Sequence, residues 1–151
     1  MVTEQYKDAI YFSSLFAWHY PNVYKEISDI LVYHHIEHGT LLHTKDYWCR
    51  DYMPIQWGFK SYIQFRYEPD YLKDKPQYKT NIIPVLKAMS RDMDITQSPL
   101  IVDGGNVVVC EANSKWIGSC MRGRKPIVIM TEKVLQENSQ SDQSEVLAIL
   151  K

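Results

Sequence analysis

No stretch of this 151-residue sequence is apolar for the ~20 residues that a membrane-spanning helix requires. Its start, MVTEQYKDAIYF, has no basic segment leading into an apolar one. Both absences point to a cytoplasmic protein without a membrane partner. Neither sign of charge is in excess: 17 Lys and Arg stand against 18 Asp and Glu, for a formal net charge of -1. Such a balance offers no general attraction to a phosphate backbone or an anionic surface, so nucleic acid is not an expected partner. Cysteine is scarce and odd in number. Cys49, Cys110 and Cys120 have no Cys-x-x-Cys spacing, which argues against a four-thiolate zinc site and a disulfide framework and leaves reduced thiols as the expectation.

Apolar residues make up 45% of the chain and charged residues 23%, so disorder and fibrous classes are not indicated. The length suits about one domain, which would bury roughly two-thirds of its unfolded surface. Aromatic residues are abundant, with 11 Tyr, 4 Trp and 4 Phe, and most are expected to pack the core.

Hydrophobic periodicity divides the chain into alternating elements. AIYFSSLF (residues 9–16) reads as a strand, and NVYKEISDIL after Pro21 as a helix with Val23, Ile27, Ile30 and Leu31 on its apolar positions. GTLLHTKDYWCRDYMPIQ begins with Leu41 and Leu42, then turns polar and aromatic, as a strand end or loop does. SYIQFRY (61–67) reads as a strand and EPDYLKDKPQ as a connection. The segment from Tyr78 to Asp92 reads as a helix, with Ile82, Val85, Leu86 and Met89 on one face and Pro84 tolerable only near its first turn.

Beyond Pro99, LIVDGGNVVVCEA and SKWIGSC read as a hairpin turning at Glu111 to Ser114, and PIVIM as a buried strand ending at Thr131. Thr131 is a candidate cap for a helix in TEKVLQE, and Ser144 for another in SEVLAILK; that last helix is cut short at Lys151, as in a truncated chain. The class is therefore α+β or mixed α/β. There is no exact repeat, although strand, helix, strand, strand recurs about twice.

Two short segments are not readily explained as core. Trp48-Cys49-Arg50-Asp51, followed by Pro54, packs a ring and two opposite charges into one turn. Its plainest reading is a surface pair of Arg50 and Asp51 beside a packed Trp48. Asp103-Gly104-Gly105-Asn106 interrupts an apolar strand pattern with two glycines, as a bulge or a close approach of another backbone does.

Together, WCRDYMP some fifty residues ahead of LIVDGGNVVV, with RGRKPIVIMTEKV beyond, resembles the agmatine deiminase and bacterial-type peptidyl-arginine deiminase branch of the guanidino-group-modifying, or pentein, superfamily. The resemblance runs from about Leu41 to Val134. It implies a propeller of five strand-rich modules, of which residues 1–151 would be the N-terminal part of a single catalytic domain and hold about two. It implies hydrolysis of a guanidinium C–N bond to a ureido product and ammonia, as in putrescine biosynthesis or arginine-to-citrulline conversion, with no metal or organic cofactor.

By that resemblance Asp51 is the carboxylate that holds the substrate guanidinium, since a carboxylate can accept two parallel N–H bonds from the planar cation. Trp48 would wall the pocket and stack on the cation. Arg50 would pair with a carboxylate of the frame or with an anionic part of the substrate. Asp103 would lie near the mouth of the site, and Gly104 and Gly105 would let the backbone pass close by. The family more often carries Glu before the glycines, so the choice between agmatine and peptidyl-arginine stays open.

The nucleophilic cysteine and His-x-Asp that such a hydrolase needs are not in this sequence. Cys49 falls at a variable position of its motif, and Cys110 and Cys120 lie in strand patterns that suit a small buried thiol. The chain alone is therefore expected to be inactive. The alternative is a non-catalytic guanidinium-binding or assembly module, completed by another chain or by a copy of itself through exposed sheet edges. His34, His35, His38 and His43 could offer imidazoles to a metal, but no ordered acids or thiols surround them, and surface histidines are the expectation.

Overall fold

The computed structural model describes residues 9–58, 60–89, 91–111, 126–140 and 142–149. The fold is mixed α/β and is built on small sheets. It opens with strand β1 (Ala9–Ser13), helices α1 (Ser14–His19) and α2 (Pro21–Tyr33), and strand β2 (Glu37–Leu41). β1 and β2 pair in parallel, with Ala9 opposite Glu37 and Ser13 opposite Leu41. A parallel pair cannot be joined by a tight turn, and the two helices supply the crossover.

The apolar run expected as one strand from Ala9 to Phe16 is split at its serines. Ser13 Oγ accepts the Leu15 N–H at 3.2 Å and caps α1, so local hydrogen bonding turns Leu15 and Phe16 helical. Pro21 opens α2, where its missing N–H costs nothing, and the helix runs to Tyr33. The histidines end it. His35 takes the left-handed conformation, φ 56°, while the Ile36 N–H returns to the Leu31 carbonyl at 2.9 Å. Among the described residues no group of three His, Cys, Asp or Glu could hold a metal ion.

A single short helix, α3 (Cys49–Tyr52), follows where the sequence suggested a strand end or loop. Strands β3 (Ile55–Gln56) and β4 (Ser61–Arg66), helix α4 (Ile82–Met89) and strand β5 (Asp94–Ile101) come next. They form a three-stranded sheet in the order β3-β4-β5, with β4 and β5 parallel and α4 in the crossover between them. Pro84 sits in the first turn of α4, and Val85 on that helix is fully buried.

The glycines expected as a bulge within one long strand instead end it. Gly104–Asn106 form a 3-10 turn, and the chain resumes as β6 (Val107–Glu111) in a different sheet. β6 pairs antiparallel with β7 (Pro126–Met130), Val107 lying opposite Met130. The hairpin arm expected at Ser114 to Cys120 lies outside the described residues. β7 is not the buried strand expected, since Val128 and Ile129 are about half exposed.

Helices α5 (Lys133–Glu137) and α6 (Gln143–Ile149) follow. Thr131 does not cap α5; its hydroxyl donates to Asn106 Oδ1 at 2.8 Å, and Glu132 precedes the helix without a side-chain cap bond. Ser144 lies inside α6, and Asp142 receives its N–H and hydroxyl. No described helix is long and apolar enough to cross a membrane.

The main core gathers Ile55, Leu100, Val102, Val107, Val109, Val134 and Val146 between the second and third sheets and the last helices. Burying one such side chain is worth about 1.5–3 kcal/mol. A second cluster, Tyr52, Tyr67 and Leu72, lies under α3.

Asn138 ties α5 to β5. Its amide donates to the Ile101 and Val134 carbonyls at 2.8 and 2.7 Å and accepts the Ile101 N–H at 2.9 Å. Truncation by Asn138→Ala strands these partly buried groups and is expected to cost about 1–3 kcal/mol in urea denaturation. A loss under about 0.5 kcal/mol would show that water replaces the amide freely.

Candidate functional site

The two segments singled out in the sequence meet in space. Arg50, on α3, donates from Nε to the Gly104 carbonyl at 3.2 Å and from a terminal nitrogen to the Val107 carbonyl at 2.8 Å, across 54 and 57 residues of chain. These two bonds go to main-chain carbonyls and tie α3 to the DGGN turn. The next residue completes the contact: Asp51 Oδ1 accepts the Gly105 N–H at 3.1 Å.

The approach explains both glycines. A Cβ on Gly104 would overlap the Arg50 carbonyl oxygen, and a Cβ on Gly105 would overlap Asp51 Oδ1. The first clash is with backbone and cannot be relieved by rotating a side chain. Glycine serves here to admit another main chain, one of the two readings open from sequence.

The other face of the same turn is held by the segment after β7. Asn106 Oδ1 accepts the N–H and hydroxyl of Thr131, at 2.9 and 2.8 Å. Lys133 Nζ donates to Asp103 Oδ2 at 2.8 Å and lies 3.1 Å from Glu137 Oε1. The ammonium also sits over the Tyr71 ring, 5.8 Å from its centroid. The WCRD, DGGN and TEKV segments therefore converge on one turn. Lys133 and Glu137 were missed in the sequence, although their i,i+4 spacing directly after a strand was a readable sign.

Among the described residues the site carries more acid than base. Asp103 is only 8% exposed, and its Oδ1 has no hydrogen-bond partner among the described residues. Burial raises the Asp51 carboxyl above the usual aspartate range, and the neighbouring charge of Asp103 adds to the rise; the Gly105 N–H and Lys133 act in the opposite sense. Burial likewise raises Glu137. The hydrogen bond to Asp103 holds the Lys133 ammonium protonated well above the ordinary lysine range.

Trp48 is largely open to solvent and lines a cavity of about 310 Å³ with Tyr11, Phe12, Phe16, Tyr47, Cys49 and Arg50; Asp51 is not in its lining. Cys49 is no ready nucleophile: burial pushes its thiol up, and the bond that the Tyr52 hydroxyl donates to Sγ at 3.2 Å, which favours the thiolate, offsets this only in part. The side chain of Cys110 and all of Cys120 lie outside what the structure describes.

The clamp makes a coupled prediction. Arg50→Met strands two carbonyls and is expected to destabilise by about 1–3 kcal/mol. Gly104→Ala is expected to cost a similar amount through overlap with the Arg50 carbonyl. Because both act on one contact, the double variant should lose less than the sum by about 0.5 kcal/mol or more in a denaturation cycle. Strict additivity would mean that the two segments are held independently.

Comparison with protein-family models, with curated proteins and with solved structures finds no match, so the functional reading rests on this arrangement of residues.

Proposed function

We propose that this chain carries the guanidinium-gripping half of a deiminase-type site, of the kind that hydrolyses agmatine or peptidyl-arginine, with Asp51 as the carboxylate that receives the cation. The observation that carries the reading is the state of Asp51. It is half-buried and oriented by one backbone N–H, and it stands beside a second carboxylate whose charge Lys133 only partly offsets. Among the described residues Asp51 has no ion pair, and a half-buried carboxylate in that state is stabilised by a ligand that brings a cation. A guanidinium suits it because the group is planar, remains charged at neutral pH and can offer paired N–H donors.

On this reading Arg50 positions Asp51 and does not touch the substrate, and Trp48 offers an exposed indole one turn away as a cover for the cation. The partial propeller of about two strand-rich modules is part of the same proposal. Its support is the succession of small sheets joined through helices and turns. The sequence contains no His-x-Asp, and burial holds the Cys49 thiol protonated, so binding without turnover is the expected behaviour of the chain by itself.

A second reading, a binding or assembly module completed by another chain, draws on the half-exposed Val108, Val128 and Ile129 of the β6–β7 sheet.

Titration with agmatine and with an N-acetyl-arginine amide, followed by nuclear magnetic resonance, tests the main reading. Asp51→Asn keeps the shape of the side chain and removes its charge, and should weaken binding by about tenfold or more, as loss of a charged hydrogen bond does. Unchanged binding in a folded Asp51→Asn variant would contradict the assignment. Formation of a ureido product by the chain alone would contradict the expected lack of turnover.

A further inference from the structure

Asp103 already holds an alkylammonium, and that ammonium belongs to the chain. Lys133 Nζ reaches Asp103 Oδ2 at 2.8 Å and Glu137 Oε1 at 3.1 Å, with Asp70 Oδ1 at 4.0 Å. Both nearer carboxylates are shielded, with side chains 11% and 9% exposed, while Lys133 is 35% exposed and rests over the Tyr71 ring. One cation thus serves two buried acids. Asp51 lies close enough for the charges of both Asp103 and Lys133 to act on its ionisation.

We propose that Lys133 sets the specificity of the guanidinium site by occupying Asp103, so that the site takes a singly charged cation at Asp51 and gains little from a second positive charge on the ligand. This rests on the reading that Asp51 receives a guanidinium. The physical case is one of charge count. With the lysine in place, a second cationic group arriving near Asp103 meets an ammonium already bonded there, and repulsion offsets the attraction of the acids. Without it, Asp103 and Glu137 become two shielded carboxylates with no counter-charge among the described residues, and Asp103 Oδ1, which lacks a partner among them, becomes a ready acceptor. A ligand carrying a guanidinium and an ammonium could then satisfy Asp51 and Asp103 together. Lys133 is accordingly a specificity-determining residue.

The test compares methylguanidinium, a monocation, with agmatine, which adds an ammonium on a four-carbon stem, at fixed ionic strength. The wild-type chain should bind the two within a few-fold of each other. Lys133→Gln and Lys133→Met should shift the ratio toward agmatine by on the order of tenfold, the size of one modest ion pair. Lys133→Arg, which keeps the charge, should retain the wild-type ratio. Thermal melts establish that each variant is folded.

An unchanged ratio in folded Lys133→Gln and Lys133→Met, with binding still lost in Asp51→Asn, would overturn the role of Lys133 and leave the guanidinium reading standing. Strong preference of the wild-type chain for agmatine would also overturn it, whatever the variants do, since Asp103 would then be open. Failure of the wild-type chain to bind either cation would overturn both readings.

Discussion

The site depends on a clamp between two backbones. Arg50 donates to the carbonyls of Gly104 and Val107, and the carbonyl of Arg50 itself fills the space that a side chain at position 104 would need. A charged donor bonded to main-chain acceptors fixes geometry more firmly than one bonded to a mobile side chain, because the acceptors move only with the fold. Asp51 belongs to the same four-residue helix, so what fixes Arg50 also aims the carboxylate at the Gly105 N–H. The fully buried Tyr52 anchors that helix from below, its hydroxyl donating to the Asp46 carbonyl at 3.2 Å.

This clamp brings like charges together, and the fold offsets the cost only in part. Asp103 and Glu137 share one ammonium, while Asp51 keeps a raised carboxyl through burial and the nearness of Asp103. Buried charges are ordinarily paired. Among the described residues, the shielded Asp103 and Glu137 and the half-buried Asp51 gather about one ammonium, beside a turn that leaves no room for a Cβ.

Much of the fold was legible in the sequence because it follows from periodicity and turn chemistry. The helix after Pro21 and the strands at Ser61 and Pro126 appear where apolar spacing put them, and the helix around Val85 appears over Ile82–Met89, about half the length expected from Tyr78 to Asp92. What was not legible came from tertiary contacts or from competition between local bonds. Ser13 ended a strand because its hydroxyl could cap a helix, a choice that apolar pattern cannot express. The DGGN segment read as an interruption within a strand because both flanks are apolar; its helical turn, closed by the Asn106 N–H on the Asp103 carbonyl at 2.8 Å, is also bonded by Arg50 from 54 residues away, a contact that apolar pattern cannot express. Of the site, Asp51, Arg50, Asp103 and both glycines were legible as a group, and they meet. Trp48 was assigned to the same pocket and lines a cavity that Arg50 also borders and Asp51 does not. Asn138 looks like an ordinary surface residue in sequence, and only its partners in three dimensions distinguish it; Lys133 had its spacing to Glu137 as a sign, while its bond to Asp103 comes from the fold.

The most direct test of the account is the titration of the Asp51 carboxyl itself, followed by carbon-13 chemical shift in protein labelled at aspartate and assigned with Asp51→Asn. Without ligand, the carboxyl should lose its proton at a higher pH than an ordinary aspartate, because burial and Asp103 disfavour its charge. Saturating methylguanidinium binds the ionised form and should move the midpoint to lower pH. A carboxyl that titrates in the usual range, and whose midpoint does not move when the guanidinium is added, would contradict the central claim.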